Sequence, residues 1–106
     1  MAWGRKGRSK YGAIPVVVNG IRFASKREGA RYFELSLMVK AGKISDLVLQ
    51  PEFKFDCGIK YKADFAYTEN GLRVYEDVKG FMPPAFKLKM KMFKHHFPQV
   101  DLRIIK

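Results

Sequence analysis

The sequence predicts an α/β domain in the order hairpin, helix, three strands, helix, strand. Three observations carry this reading. Asn19-Gly20 and Asn70-Gly71 each separate runs of extended character, and Asn-Gly is the strongest short hairpin signal. Ser25 and Glu28 stand at capping-box spacing ahead of a segment with helical periodicity. A second apolar segment follows the double proline Pro83-Pro84, and a short alternating run lies beyond it.

The elements follow in chain order. Residues 1–13 form a basic arm with Arg5, Lys6, Arg8 and Lys10 and no acid, and residues 14–106 form the single folded domain. Ile14 to Phe23 places β-branched residues on both sides of Asn19-Gly20, a hairpin. Ser25 to Ala41 is a helix of about four turns closed by Gly42. At 100° per residue, Tyr32, Leu35 and Val39 share one face, and Ala30, Phe33 and Leu37 form a stripe nearly opposite. A helix apolar on two sides is expected to lie between other elements. Leu47–Phe55, Lys60–Thr68 and Leu72–Lys79 read as strands. Ala85 to Phe97 is ambiguous, because Phe86, Leu88, Met90 and Met92 alternate with lysines. It has no β-branched residue, however, and as a helix it aligns Phe86, Met90, Phe93 and Phe97, so helix is preferred. Pro98 ends it, and Val100 to Ile105 reads as a last strand.

Composition bounds the function. At 106 residues the chain is one domain, and 47% apolar and 14% aromatic residues suffice for a core. No apolar run approaches bilayer length and no leader resembles a secretory signal, so a cytoplasmic protein without a membrane partner is expected. A single cysteine, Cys57, excludes an internal disulfide framework and a thiolate zinc cage. Twenty-one Lys+Arg against ten Asp+Glu give +11, a self-repulsion that points to a nucleic-acid partner. A merely soluble basic protein has the same arithmetic.

The second hairpin carries the chemistry. With Asn70-Gly71 at its turn, residues whose numbers sum to 141 face each other, so Asp64 falls opposite Asp77, on one face with Lys62 and Lys79. The other face carries Tyr61, Ala63, Phe65, Tyr67, Leu72, Val74 and Val78, interrupted by Glu76, so one face is core and the other mixed and ionisable. Facing carboxylates repel unless a cation sits between them. Neighbouring lysines are one candidate; a divalent metal is the other, and oxygen-only ligation suits Mg²⁺ or Mn²⁺. Lys79 would then orient or help deprotonate an attacking water, or neutralise charge on a scissile phosphate.

Asp64 followed by Asp77-Val78-Lys79, with Glu28 on the preceding helix, resembles the PD-(D/E)xK nuclease superfamily. More closely, SKREGARYFEL, LQPEF, YKADFAY and VYEDVKGF are similar to a family of small phage-borne proteins in that superfamily, over roughly residues 9–106. Archaeal and phage Holliday-junction resolvases are similar small members. Ala63 stands where the superfamily's name expects proline. The resemblance implies a restriction-endonuclease-like core, a mixed central β-sheet flanked by helices. It implies that Asp64 and Asp77 are metal ligands with the Val78 carbonyl, that Lys79 is the catalytic lysine, and that Glu28 completes or orients the site. Gln50 would sit near it, with Lys62 a possible supporting residue. If the chain is phage-encoded, the bacterial host cytoplasm is its place of action.

Each residue has a plainer reading. Glu28 also serves as the third residue of the capping box, Asp64 as an exposed strand carboxylate, and Asp77-Val78-Lys79 as a solvated strand end. Glu76 has the wrong parity for the site and reads as an ion-pair or supporting residue. His95 and His96 point about 100° apart on a helix and suit surface or backbone contact better than shared metal ligation. Cys57 reads as an incidental thiol. Lys87, Lys91 and Lys94 form a stripe on the last helix that, with the arm, suits phosphate binding.

The expected activity is a Mg²⁺-dependent endonuclease acting on branched DNA, a four-way junction. Two symmetric cuts in a junction require a homodimer. The alternatives are a non-catalytic nucleic-acid-binding module on the same fold, and a nuclease acting on duplex, flap or single-stranded DNA.

Overall fold

A computed structural model describes residues 14–106. The basic arm, with Arg5, Lys6, Arg8 and Lys10, lies outside the described residues.

Strands β1 (Val16–Val18) and β2 (Ile21–Phe23) form the first hairpin, with Val18 opposite Ile21. Asn19 and Gly20 both have positive φ, 52° and 80°, as a type I′ turn requires. Helix α1 (Lys26–Lys40) starts at Ser25, whose Oγ accepts the Glu28 N–H at 3.1 Å. It ends in a Schellman arrangement. The Lys43 N–H donates to the Met38 carbonyl and the Gly42 N–H to the Val39 carbonyl, with Gly42 at φ 75°. Gly29 is where α1 meets the hairpin: a Cβ there would lie 2.7 Å from Val16 Cγ2 and 3.0 Å from Val18 Cγ2.

The central sheet is mixed. Strands β3 (Ser45–Leu49), β6 (Phe65–Glu69), β7 (Leu72–Val78) and β8 (Asp101–Ile105) lie in the order β3-β6-β7-β8, with β7 and β8 parallel and the other pairs antiparallel. Phe65 pairs with Glu76 and Glu69 with Leu72, so the register that pairs residues summing to 141 holds along the β6–β7 ladder. A separate ribbon joins β4 (Glu52–Lys54) to β5 (Lys60–Lys62). Helix α2 (Pro84–His96) precedes β8 and buries Phe86 and Phe93, so the helical period prevails over the Phe-Lys alternation.

Three expectations are corrected. Leu47–Phe55 and Lys60–Thr68 are not continuous strands: both bend at one level. The Gln50 N–H donates to the Asp64 carbonyl and the Ala63 N–H to the Pro51 carbonyl. Pro51 has no N–H for the ladder, and Gln50 turns the chain at φ 53°. The bend also moves Tyr61 and Ala63 to the other side of the sheet from Phe65 and Tyr67. Phe23, Leu35, Ile44, Phe65, Tyr67 and Val74 form one core under α1, whereas Phe55, Tyr61, Ala63, Phe86 and Phe93 form a second under α2. The sheet face expected to be mixed and ionisable is thus covered by α2. Finally, α1 buries one face. Leu35 is enclosed, but Phe33 and Leu37 are about half exposed and Ala30 is exposed, so among the described residues α1 is packed on one side only.

No helix among the described residues is long and apolar enough to cross a membrane.

Candidate active site

Asp77 lies near the end of β7 on the α2 side and is 3% exposed. The Tyr61 hydroxyl, delivered by β5, donates to its Oδ2. Its Oδ1 is buried and has no hydrogen-bond partner among the described residues. The Lys79 ammonium stands 3.9 Å from that oxygen and 4.8 Å from the centre of the Phe86 ring. Lys79 is positioned through its backbone, because its N–H donates to the Ile105 carbonyl of β8 at 2.9 Å. Burial raises the Asp77 pKa, and the negative charge of Glu28 adds to this. The Tyr61 hydrogen bond and the Lys79 charge oppose the rise.

Asp64 sits in the bend between β5 and β6. Its N–H still donates to the Glu76 carbonyl at 2.9 Å, while its Oδ2 accepts the Val78 N–H at 2.7 Å. The expected face-to-face Asp64/Asp77 pair is therefore realised in altered form. The regular ladder stops at Phe65–Glu76, and the Asp64 carboxylate takes the amide that directly follows Asp77. Burial pushes the Asp64 carboxyl up to about 8. Hydrogen bonding to Glu28 and the charges of Asp77 and Glu28 reinforce the rise, and the Val78 N–H opposes it.

Glu28 lies between the start of α1 and Asp64. Its Oε1 accepts the Ala24 N–H at 3.1 Å, just ahead of the N-cap Ser25, and its carboxyl helps to raise the Asp64 pKa. Glu28, Gln50 and Asp64 line a cleft of about 210 Å³ with Ile21, Arg22, Phe23 and Leu49. Gln50, left-handed at φ 53°, lines the same cleft, and its N–H donates to the Asp64 carbonyl at 2.9 Å.

Other candidates fall elsewhere. Lys62 is exposed on β5, in register with Glu52, in the ribbon beyond the bend. Lys87, Lys91 and Lys94 are exposed along α2. His96 Nδ1 lies 3.7 Å from Asp56 in an exposed contact, and Cys57 is exposed. Glu76 is fully buried under α1. Arg31 donates to it through Nε at 2.8 Å and Nη2 at 2.6 Å, and the Tyr67 hydroxyl donates to it as well. That is a structural ion pair, as its parity indicated.

Sequence reasoning missed Tyr61, because strand parity assigned it to the other face. The bend at Ala63-Asp64 reverses that parity, and its one local signal is Pro51 on the partner strand. Arg31 was missed as well, although a glutamate inside an apolar strand face asks for a buried cation.

The donor chemistry fits a hard divalent cation. A buried carboxylate oxygen with no hydrogen-bond donor among the described residues lies beside Lys79, in a cluster where burial pushes a second carboxyl up to about 8. The single ammonium of Lys79 stands among the carboxyl groups of Glu28, Asp64 and Asp77, and oxygen ligands of this kind suit Mg²⁺ or Mn²⁺. Among the described residues, no three His, Cys, Asp or Glu side chains gather as a ready ligand set. An ion here would take its protein ligands from Asp64 and Asp77 and keep several water or phosphate oxygens, as Mg²⁺ usually does.

The family model described as a protein of unknown function (DUF1064) matches residues 8–106. No curated protein matches the chain.

Proposed function

We propose a nuclease activity for this chain, which belongs to the DUF1064 family: metal-dependent hydrolysis of phosphodiester bonds in structured DNA, with a four-way junction as the preferred substrate. The observation that carries the reading is the buried Oδ1 of Asp77, without a hydrogen-bond donor among the described residues, with the Asp64 carboxylate fixed on the next amide and Lys79 at 3.9 Å. A mixed sheet with separate cores under α1 and α2 agrees with a restriction-endonuclease-like core.

Asp77 and Asp64 would hold the cation, and the adjoining Val78 carbonyl is a further candidate ligand. When bound, Mg²⁺ or Mn²⁺ lowers the pKa of water and offsets charge on the phosphate. Lys79, held against Asp77 and the Phe86 ring, orients the attacking water and neutralises charge that builds on the scissile phosphate. Glu28 and Gln50 orient groups from the cleft beside Asp64. Lys87, Lys91 and Lys94 contact DNA phosphates, and their charge supplies affinity without sequence information. A two-fold homodimer places two such sites on the two symmetric strands of a junction.

A labelled four-way junction, a flap, a linear duplex and a single strand, each incubated with Mg²⁺ or with EDTA, test the reading. Nicking of the junction only with Mg²⁺ is expected. Binding without nicking favours a nucleic-acid-binding module on the same fold, a reading that draws on the lack of a ready three-ligand set among the described residues. Preferential cutting of another substrate keeps the nuclease and removes the junction.

A further inference from the structure

We propose that Tyr61 is a positioning residue: by occupying Oδ2 of Asp77, it leaves Oδ1 as the single oxygen that Asp77 presents to a divalent cation. This rests on the metal site proposed above and adds a residue outside its acidic and lysine motif. Tyr61 is 4% exposed, and its ring is held on two sides. Phe53 stacks on it at 6.2 Å and 19°, and Phe93 of α2 meets it edge-on at 5.6 Å and 75°. The hydroxyl therefore reaches Asp77 from a fixed direction.

The consequence is selectivity. A carboxylate turns readily about its terminal torsion and can offer one oxygen or both. With Oδ2 engaged by Tyr61, and Oδ1 beside Lys79 but without a hydrogen-bond donor among the described residues, Asp77 is set for one-oxygen ligation. Mg²⁺ demands near-octahedral geometry at short distances, whereas Ca²⁺ accepts two-oxygen carboxylates and irregular shells. Tyr61 thus favours the small ion over the large one.

Calorimetric titration of the full-length, DNA-free protein with Mn²⁺ and with Ca²⁺ tests this in wild type, Tyr61→Phe and Asp77→Asn. Phenylalanine keeps the ring packing and removes only the donor. Tyr61→Phe is expected to weaken Mn²⁺ by about 10-fold or more, as loss of a hydrogen bond to a ligating group typically does. Ca²⁺ should change less, and in EDTA the variant should still unfold cooperatively, at a lowered melting temperature because the buried Asp77 loses its donor. If Asp77→Asn abolishes Mn²⁺ binding and Tyr61→Phe leaves it unchanged, the Tyr61 role is overturned while the metal site stands. If wild type binds no Mn²⁺, or Asp77→Asn binds like wild type, the metal site fails and the Tyr61 role with it. Should Tyr61→Phe not fold, 3-fluorotyrosine at position 61 gives a ¹⁹F resonance. It must shift saturably with Mg²⁺, and its absence of response overturns the proposal.

Discussion

Replacing Asp64 by asparagine should make the metal-free protein more stable while removing its activity. The Asp64 carboxyl titrates near 8 in the fold against an ordinary 3.8. The folded state therefore binds the proton more tightly than the unfolded chain. Between about pH 4 and pH 8 this makes stability fall as pH rises. At pH 7 the displacement is about three units at about 1.4 kcal/mol each, a ceiling of about 4 kcal/mol, which partial exposure of the side chain lowers to about 2–3 kcal/mol. Asparagine preserves the essential local bond, because its carbonyl oxygen can still accept the Val78 N–H. Urea unfolding in EDTA at pH 4.5, 6 and 7.5 checks the argument. Asp64→Asn should exceed wild type by about 2–3 kcal/mol at pH 7.5, with the gap closing below about 1 kcal/mol at pH 4.5. A flat wild-type profile, or a variant no more stable at pH 7.5, refutes the account of a carboxyl whose burial disfavours its charged form.

Two further outcomes follow from the packing and the charge. Gly29→Ala improves intrinsic helix propensity by about 1 kcal/mol, yet its Cβ would stand 2.7 Å from Val16 and 3.0 Å from Val18. A net loss of about 1–3 kcal/mol in chemical unfolding is expected, and a gain contradicts the close approach of α1 to the first hairpin. Changing Lys87, Lys91 and Lys94 together to glutamine should lower junction affinity and flatten the dependence of log K on log salt by about 2–3, at about 0.9 per phosphate contact. An unchanged slope removes α2 from the DNA interface.

Much of this architecture is legible in short stretches of sequence because the signals are local. Asn-Gly specifies a turn with two positive φ values, and both such turns form. Ser25 and Glu28 start α1, and the glycine at 42 closes it. The β6–β7 register follows from turn length and side-chain parity, and it brings Asp64, Asp77 and Lys79 to one end of the sheet. Parity fails where the chain leaves the ladder. The bend pairing Gln50-Pro51 with Ala63-Asp64 depends on two strands yielding together, which no single segment announces, although Pro51 is a warning. That bend carries Tyr61 to Asp77 and turns the Asp64 carboxylate onto the Val78 amide. The outer stripe of α1 is likewise misread, because apolar spacing reports which residues share a face and not whether anything covers it.

Single-turnover cleavage of a labelled four-way junction in Mg²⁺, comparing wild type with Asp77→Asn, addresses the nuclease assignment most directly. Asp77→Asn keeps the side chain's shape and removes its charge. It should bind the junction with near wild-type affinity and cut it at least about 100-fold more slowly, a barrier increase of roughly 2.7 kcal/mol. Cleavage at the wild-type rate by Asp77→Asn, or no Mg²⁺-dependent cleavage by wild type, contradicts it.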